Sequence, residues 1–233
     1  MGDVGEINDR HIEEVQATQT QCSWIDKTPA GLANRLTPLA NKIIKSDYSS
    51  MEDLVLGSEN YSMDEIHAFL NEIIARWRAK ELTPAVIYAS LKFAHLYLEL
   101  PKVQITFKNW PPIPICYFSS YLSLGASLVH SYLKTLSFAV ELFSLDETEH
   151  HLREFIEKKK PPAIILSASQ FLHIHSLRQL VPYLHDRNLK IFVGGILFVY
   201  DDSLKQAFSG CVFPQDLPEL TLLLENLLKE ERR

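Results

Sequence analysis

Cysteine is scarce in this chain of 233 residues. Its three cysteines, Cys22, Cys116 and Cys211, are an odd number with wide spacing, which excludes both a disulfide framework and a four-cysteine zinc site. Cys116 and Cys211 lie within apolar runs, where a cysteine is typically a small buried hydrophobic residue and not a reactive thiol. Cysteine usage therefore indicates a reducing compartment.

Long apolar runs and an excess of positive charge are also missing. No window approaches the roughly 20 apolar residues of a membrane-spanning helix. The N-terminal MGDVGEINDR is acidic and polar, where a signal peptide would be basic and then apolar. The formal net charge is −6, which argues against a broad electrostatic surface for nucleic acid. We therefore expect a cytoplasmic protein that binds neither a membrane nor, directly, nucleic acid.

Recognisable catalytic motifs are missing as well. The sequence has no phosphate-binding loop, no nucleophile elbow and no paired-carboxylate motif, and Asp201 and Asp202 are placed to cap a helix. Nor does it contain a second, substrate-binding domain. These absences predict no catalytic residues and argue against an enzyme that acts alone.

The residues that are present predict a chain in four parts. Hydrophobic residues make up 46% and charged residues 22%, which is ordinary globular usage. Residues 1–28 are polar without sustained periodicity, as is typical of a flexible arm. Residues 29–101 predict a cap of four helices, residues 102–112 a proline-rich extended linker, and residues 113–233 an α/β domain.

Two helices of the cap carry clear start signals. Ser62 with Glu65 three residues later makes a capping box, and Thr83 before Pro84 is a good N-cap followed by a first-turn proline. The two earlier cap helices are predicted over Leu32–Ile44 and Met51–Leu56.

After the linker, short apolar strands alternate with amphipathic helices. The strands are predicted at Ile113–Phe118, Ala139–Phe143, Ala163–Ser167, Lys190–Val193 and Gly210–Phe213. The helices are predicted at Ala126–Leu136, Glu147–Lys158, Ile174–Leu184, Asp202–Phe208 and Leu217–Lys229. This alternation indicates right-handed crossovers and a doubly wound, five-stranded parallel sheet of the flavodoxin-like type.

Ligands of such sheets bind at the carboxyl ends of the strands. Ser167 and Ser169 follow the third strand, where they contact a ligand or cap a local turn. Gly194 and Gly195 follow the fourth strand, where they are turn glycines with positive φ, ligand contacts, or both. The loop after the first strand, within IPICYFSSYLSLGAS, carries no acid, base or nucleophile with a partner.

Three segments in this order resemble the cobalamin-binding module shared by corrinoid-dependent enzymes and by light- or redox-sensing bacterial regulators. AIILSAS is similar to the serine-containing segment beside the buried cobalamin tail, and KIFVGGI to the glycine pair that lets this tail approach the backbone. IIARWRAKELTP is similar to the helical cap, in which a tryptophan, here Trp77, covers the corrin ring. The resemblance implies a helical cap on a flavodoxin-like domain.

The chain departs from this family at both of its ligand-facing motifs. Aligned on Gly125, the family's Asp-x-His-x-x-Gly motif places Ser120 at the aspartate and Leu122 at the cobalt-ligating histidine. Leucine has no lone pair for a metal. The glutamate and histidine that follow the cap tryptophan in the regulators are Ile87 and Tyr88 here. The module thus binds cobalamin differently, binds something else, or binds no cofactor.

Four further side chains allow two interpretations each. Trp77 and Tyr88 either pack within the protein or face a ligand in the cap cleft. His173 and His175, in QFLHIHS, are either ordinary histidines near a helix start or ligands to a haem or another metal.

The resemblance implies a non-enzymatic sensor or regulatory module that acts through a protein partner, as in antirepressors built on this module. The alternative is a carrier subunit that supplies a tetrapyrrole, either haem or a corrinoid, to a separate enzyme.

Overall fold

The computed structural model describes residue 43 and residues 51–56, 60–118 and 123–230. All of these fall within one compact unit, Ile43–Arg233. The predicted arm, the first predicted cap helix except Ile43, and the loop residues Ser120 and Leu122 lie outside the described residues.

Three helices of the predicted cap are present: α1 at Met51–Leu56, α2 at Met63–Arg78 and α3 at Pro84–Leu98. The capping box starts α2, since the Glu65 backbone N–H donates to the Ser62 hydroxyl at 3.2 Å and the Ser62 N–H donates to the Glu65 carboxylate at 2.8 Å. The Thr83 hydroxyl accepts from the Val86 N–H at the start of α3. Both predicted start signals are confirmed. Residues 103–112 contain no helix or strand.

The sheet has four parallel strands in the order β2-β1-β3-β4. They span Ile113–Tyr117 (β1), Val140–Ser144 (β2), Ala163–Ser167 (β3) and Lys190–Gly194 (β4). The helices that follow are α4 (Leu124–Thr135), α5 (Leu145–Lys159), α6 (His173–His185), α7 (Ile196–Tyr200) and α8 (Leu217–Glu230).

Helices cover both faces of the sheet. On one face, α5 and α6 bury Leu152, Ile156 and Leu177 against the strands. On the other, α4 and α8 bury Leu133 and Leu224. The doubly wound, flavodoxin-like class is thereby confirmed. No helix in the described part of the chain is both long and apolar enough to cross a membrane.

The fifth predicted strand is reduced to a single bridge. Val212 pairs with Phe192 alone, and its backbone carbonyl accepts from the Val193 N–H at 2.8 Å. Gly210 just before it has a φ of 81°, and Pro214 soon after it has no N–H to donate, so the extended segment cannot lengthen. The prediction of a fifth strand is therefore wrong, although Val212 lies beside β4, at the edge of the sheet where that strand is expected.

The region between β4 and α8 also differs from the prediction. Asp202–Ala207 is a 3-10 helix, which replaces the predicted α-helix, and α7 precedes it without having been predicted. Asp201 does cap this segment, since its carboxylate accepts from the Ser203 N–H at 3.1 Å.

Candidate ligand site at the carboxyl ends of the strands

The last residues of β1, β3 and β4 lie side by side in one row at the carboxyl edge of the sheet. The register pairs Tyr117 of β1 with Ser167 of β3, and Ser167 with Gly194 of β4. This is the edge at which parallel open sheets bind their ligands. Two residues predicted from separate segments, Ser167 and Gly194, are thus direct neighbours.

Gly125 approaches the same row from the start of α4. A Cβ atom at position 125 would lie 3.3 Å from the Ser167 Oγ atom. A side chain at this position would crowd the serine, so the glycine allows α4 to begin close against β3. Gly125 and Ser167 are therefore close neighbours, and their contact with a ligand stays a prediction.

The two adjacent glycines after β4 have different surroundings. A Cβ atom at Gly195 would lie 2.0 Å from the Ala168 carbonyl oxygen, and its φ of 114° is one that side chains rarely adopt. Gly195 is therefore required by the close approach of two backbones. A Cβ atom at Gly194 would have no neighbour within 4 Å, so this glycine faces open space among the described residues.

Ser169 and His173 are joined by a local contact. The backbone N–H groups of Ser169 and Gln170 donate to His173 Nδ1 at 3.2 and 3.3 Å. The buried imidazole stacks on Phe118, with 4.7 Å between ring centroids. Burial lowers the pKa of His173, against a smaller raising effect of Asp146, so the ring is held neutral as a hydrogen-bond acceptor. The Nδ1 atom of His173 therefore already accepts hydrogen bonds from two backbone N–H groups.

His175 does not share the position of His173. It lies exposed on α6, where its Nε2 atom is 3.0 Å from the Gln179 side-chain amide. The two histidines therefore do not present their rings to one common metal position, because they occupy a helix and not an extended segment.

The two aromatic residues predicted in the cap are both exposed. Trp77, in the last turn of α2, is 39% exposed, and Tyr88, on α3, is 51% exposed. Trp77 is thus not a fully buried core residue. Its contact with a ligand stays a prediction, as does that of Tyr88.

Exposed apolar side chains at this edge were not predicted as site residues. Five of them follow β3 and β4, namely Phe171, Leu172, Ile196, Val199 and Tyr200. Their exposure ranges from 42% for Ile196 to 80% for Tyr200. The available signal was the apolar run ILFVY directly after the glycine pair, which has no polar face to turn to solvent.

No protein-family model matches the chain, and no curated protein is similar to it in sequence. Solved structures are similar in fold. One is a cobalamin-binding protein from Desulfitobacterium hafniense DCB-2, at 14% identity and a TM-score of 0.50, over 82% of this chain and 90% of that one. Another is a chain of the methanol:cobalamin methyltransferase complex MtaBC from Methanosarcina barkeri, at 13% identity and a TM-score of 0.54, over 98% and 94%. The chain therefore has the fold of a cobalamin-binding-domain-like module, as its sequence resemblance predicts.

Proposed function

We propose that this chain is a carrier subunit that binds a tetrapyrrole at the carboxyl edge of its sheet and presents it to a separate partner protein. The observation that carries the proposal is the row Tyr117, Ser167 and Gly194, in which Gly194 borders space that no described residue fills. The solved structures of similar fold support a carrier more than a regulator, since one of them is a chain of a methyltransferase complex.

The serine and glycine residues at this edge match the segments that lie beside the buried cobalamin tail in the family that the sequence resembles. Gly125 keeps a side chain away from Ser167, whose hydroxyl can donate one hydrogen bond and accept others, and a Cβ atom at Gly194 would meet no described residue within 4 Å. Leu122 offers cobalt no lone pair, so a corrinoid held here takes no lower axial ligand from position 122. A corrinoid would supply the cobalt chemistry itself, and the protein would supply binding and orientation.

The exposed apolar residues after β3 and β4 support a contact with a further molecule at this edge. Side chains such as Phe171 and Tyr200 lose water-exposed area when a flat ring system or a partner protein covers them. A carrier needs both kinds of contact, because it holds its cofactor and docks on the enzyme that uses it.

A sensor or regulatory module is the second candidate, and the motif departures favour it. Leu122 stands where the family has the cobalt-ligating histidine, and Ile87 and Tyr88 stand where its regulators have a glutamate and a histidine. A module that has lost these ligands can keep its fold and act through a protein partner without any cofactor.

The absorption spectrum of the full chain, purified from cells supplied with both haem and cobalamin, separates the candidates. Corrin bands or a Soret band support the carrier, and a spectrum without either overturns it and leaves the cofactor-free regulator. If a Soret band appears, His173→Ala and His175→Ala test the two predicted haem ligands.

The site is tested by Gly194→Val, which places a branched side chain in the open space beside Ser167. We expect the bound cofactor to be lost while urea unfolding stays close to that of the wild type. Leu222→Ala, which alters an exposed leucine on α8, is the control and should retain the cofactor. Full binding by Gly194→Val would show that the cofactor lies elsewhere.

A further inference from the structure

A cluster of two histidines and a glutamate lies where the cap helix α3 meets α4, away from the glycine pair. His95 lies on α3 and Glu99 directly follows that helix as its C-cap, so the two side chains are one turn apart. His130 lies on α4. One ligand atom from each of the three residues lies within 4.8 Å of the other two.

The two imidazoles face each other with unused ring nitrogens. Their ring centroids are 5.4 Å apart, and the Nδ1 atoms of both His95 and His130 are buried without a hydrogen-bond partner among the described residues. Buried polar atoms in native proteins nearly always have a partner. Two such unpartnered atoms, on neighbouring rings that lie next to a carboxylate, indicate a ligand that all three groups share.

The chemistry of the cluster selects the ligand. Two neutral imidazoles and one carboxylate form the His2Glu set that binds Zn²⁺ and leaves a fourth position open, whereas Ca²⁺ and Mg²⁺ require mostly oxygen ligands. Ligands around tetrahedral Zn²⁺ lie about 3.3 Å from one another, given bonds of about 2.0 Å. The three side chains therefore need to close by at most about 1.5 Å, within reach of rotamer adjustment.

Burial also keeps both rings in the form that binds a metal. It is the main cause that lowers the pKa of His95 and brings the pKa of His130 to about 3, with Lys134 lowering both further and Glu99 opposing. Both rings are thus neutral near pH 7. Metal ions bind only the neutral imidazole.

Lys134 is the competitor for this site. It lies one turn after His130 on α4, and its Nζ atom donates to Glu99 Oε1 at 2.5 Å. The ammonium neutralises the carboxylate when no metal is bound. The Glu99 side chain is half exposed, so it can release Lys134 and remain within reach of an ion that enters from solvent.

We propose that His95, Glu99 and His130 form a site for Zn²⁺ or a similar transition-metal ion, which joins α3 of the cap to α4 of the sheet domain. The site is independent of any tetrapyrrole. Removal of the metal would loosen this junction without touching the strand ends.

Titration of the chelator-treated full chain with Co²⁺, a visible probe for zinc sites, tests the proposal. We expect saturation at one equivalent with d–d bands typical of four ligands, and a rise in melting temperature when Zn²⁺ is added. Loss of an outer-shell partner alone weakens metal binding by about 10- to 100-fold. Glu99→Gln, His95→Gln and the double variant His95→Gln/His130→Gln should therefore weaken it at least about 100-fold.

Two further variants keep the test decisive if the buried histidine variant does not fold. Lys134→Met removes the competitor and should tighten Co²⁺ binding, whereas a purely structural salt bridge would leave the affinity unchanged. His150→Gln alters an exposed histidine on α5 and should have no effect. Binding that survives Glu99→Gln, thiolate charge-transfer bands, or no saturable binding by the wild type would each overturn the assignment.

Discussion

The imidazole of His67 on α2 donates a hydrogen bond from Nδ1 to the hydroxyl oxygen of Thr135 at the end of α4, over 2.8 Å. The direction of this bond is fixed because the Thr135 hydroxyl proton is already donated to the Tyr132 carbonyl, at 2.6 Å. A hydroxyl has only one proton, so His67 carries the other. The bond ties a cap helix to the α/β domain, and the His67 ring also packs against Tyr132.

Thr135→Val should destabilise the protein by about 1–3 kcal/mol, because it leaves the half-buried Nδ1–H of His67 without an acceptor. The measurement is the free energy of unfolding in urea. Thr221→Val is the matched control, since the Thr221 hydroxyl donates to the Leu217 carbonyl within α8 and accepts from no side chain on another helix in the described part of the chain. The control should stay within about 0.5 kcal/mol of the wild type. Equal effects of the two variants would show that the link between helices contributes nothing.

The stability of the protein should fall as the pH drops below about 6.5. Burial is the main cause that lowers the pKa of His67 from its usual value of 6.5, and Asp64 opposes it. The unfolded chain therefore binds a proton at a higher pH than the folded one, so stability is fully present above 6.5 and is lost as the pH falls toward the folded-state pKa.

The contribution of His67 is measured as the difference in this pH dependence between wild type and His67→Asn. Burial lowers the pKa of three other histidines too: His95, His130 and His173. The asparagine amide keeps a donor toward Thr135 and cannot titrate. The variant should lose less stability between pH 7 and pH 5 than the wild type, and parallel curves would contradict the prediction.

His173→Ala should destabilise the protein by about 2 kcal/mol or more, whereas His175→Ala should change the unfolding free energy by less than about 0.5 kcal/mol. The first variant removes the ring stacked on Phe118 and leaves two backbone N–H groups of the β3–α6 loop without their acceptor. The second removes an exposed ring. The comparison also serves as a control for the haem experiment, because unfolding of His173→Ala would by itself remove a Soret band. Similar stabilities for both variants would remove the structural role assigned to His173.

Much of this fold follows from local sequence patterns. The start signals at Ser62 and Thr83 and the buried run AIILS are read from neighbouring residues alone, and each forms the element it predicts. The failures have two causes. Val212 extends no strand because its close sequence neighbours Gly210 and Pro214 limit it, and ILFVY becomes a helix with exposed apolar side chains that no periodicity indicates.

Part of the site also follows from the sequence. The family resemblance predicts Ser167, Gly125 and Gly194; the strand register pairs Ser167 with Gly194, and Gly125 approaches Ser167 from the start of α4. The cluster of His95, Glu99 and His130 was not predicted, although His95 and Glu99 have helical i,i+4 spacing. Its third member comes from a helix 31 residues further along, since contact between α3 and α4 is a property of the packed structure.

Gly195→Ala and Gly194→Ala should differ sharply in stability, although the two residues are adjacent. The alanine Cβ atom at position 195 would lie 2.0 Å from the Ala168 carbonyl oxygen, and the residue would have to adopt a φ of 114°. The backbone must therefore move. We expect a loss of about 3 kcal/mol or more in unfolding free energy, from strain and overpacking together. At position 194 the methyl group meets none of the described residues within 4 Å, so Gly194→Ala should stay within about 1 kcal/mol of the wild type. If both variants were equally unstable, Gly194 would not border open space, and its proposed place beside a bound ligand would lose its basis.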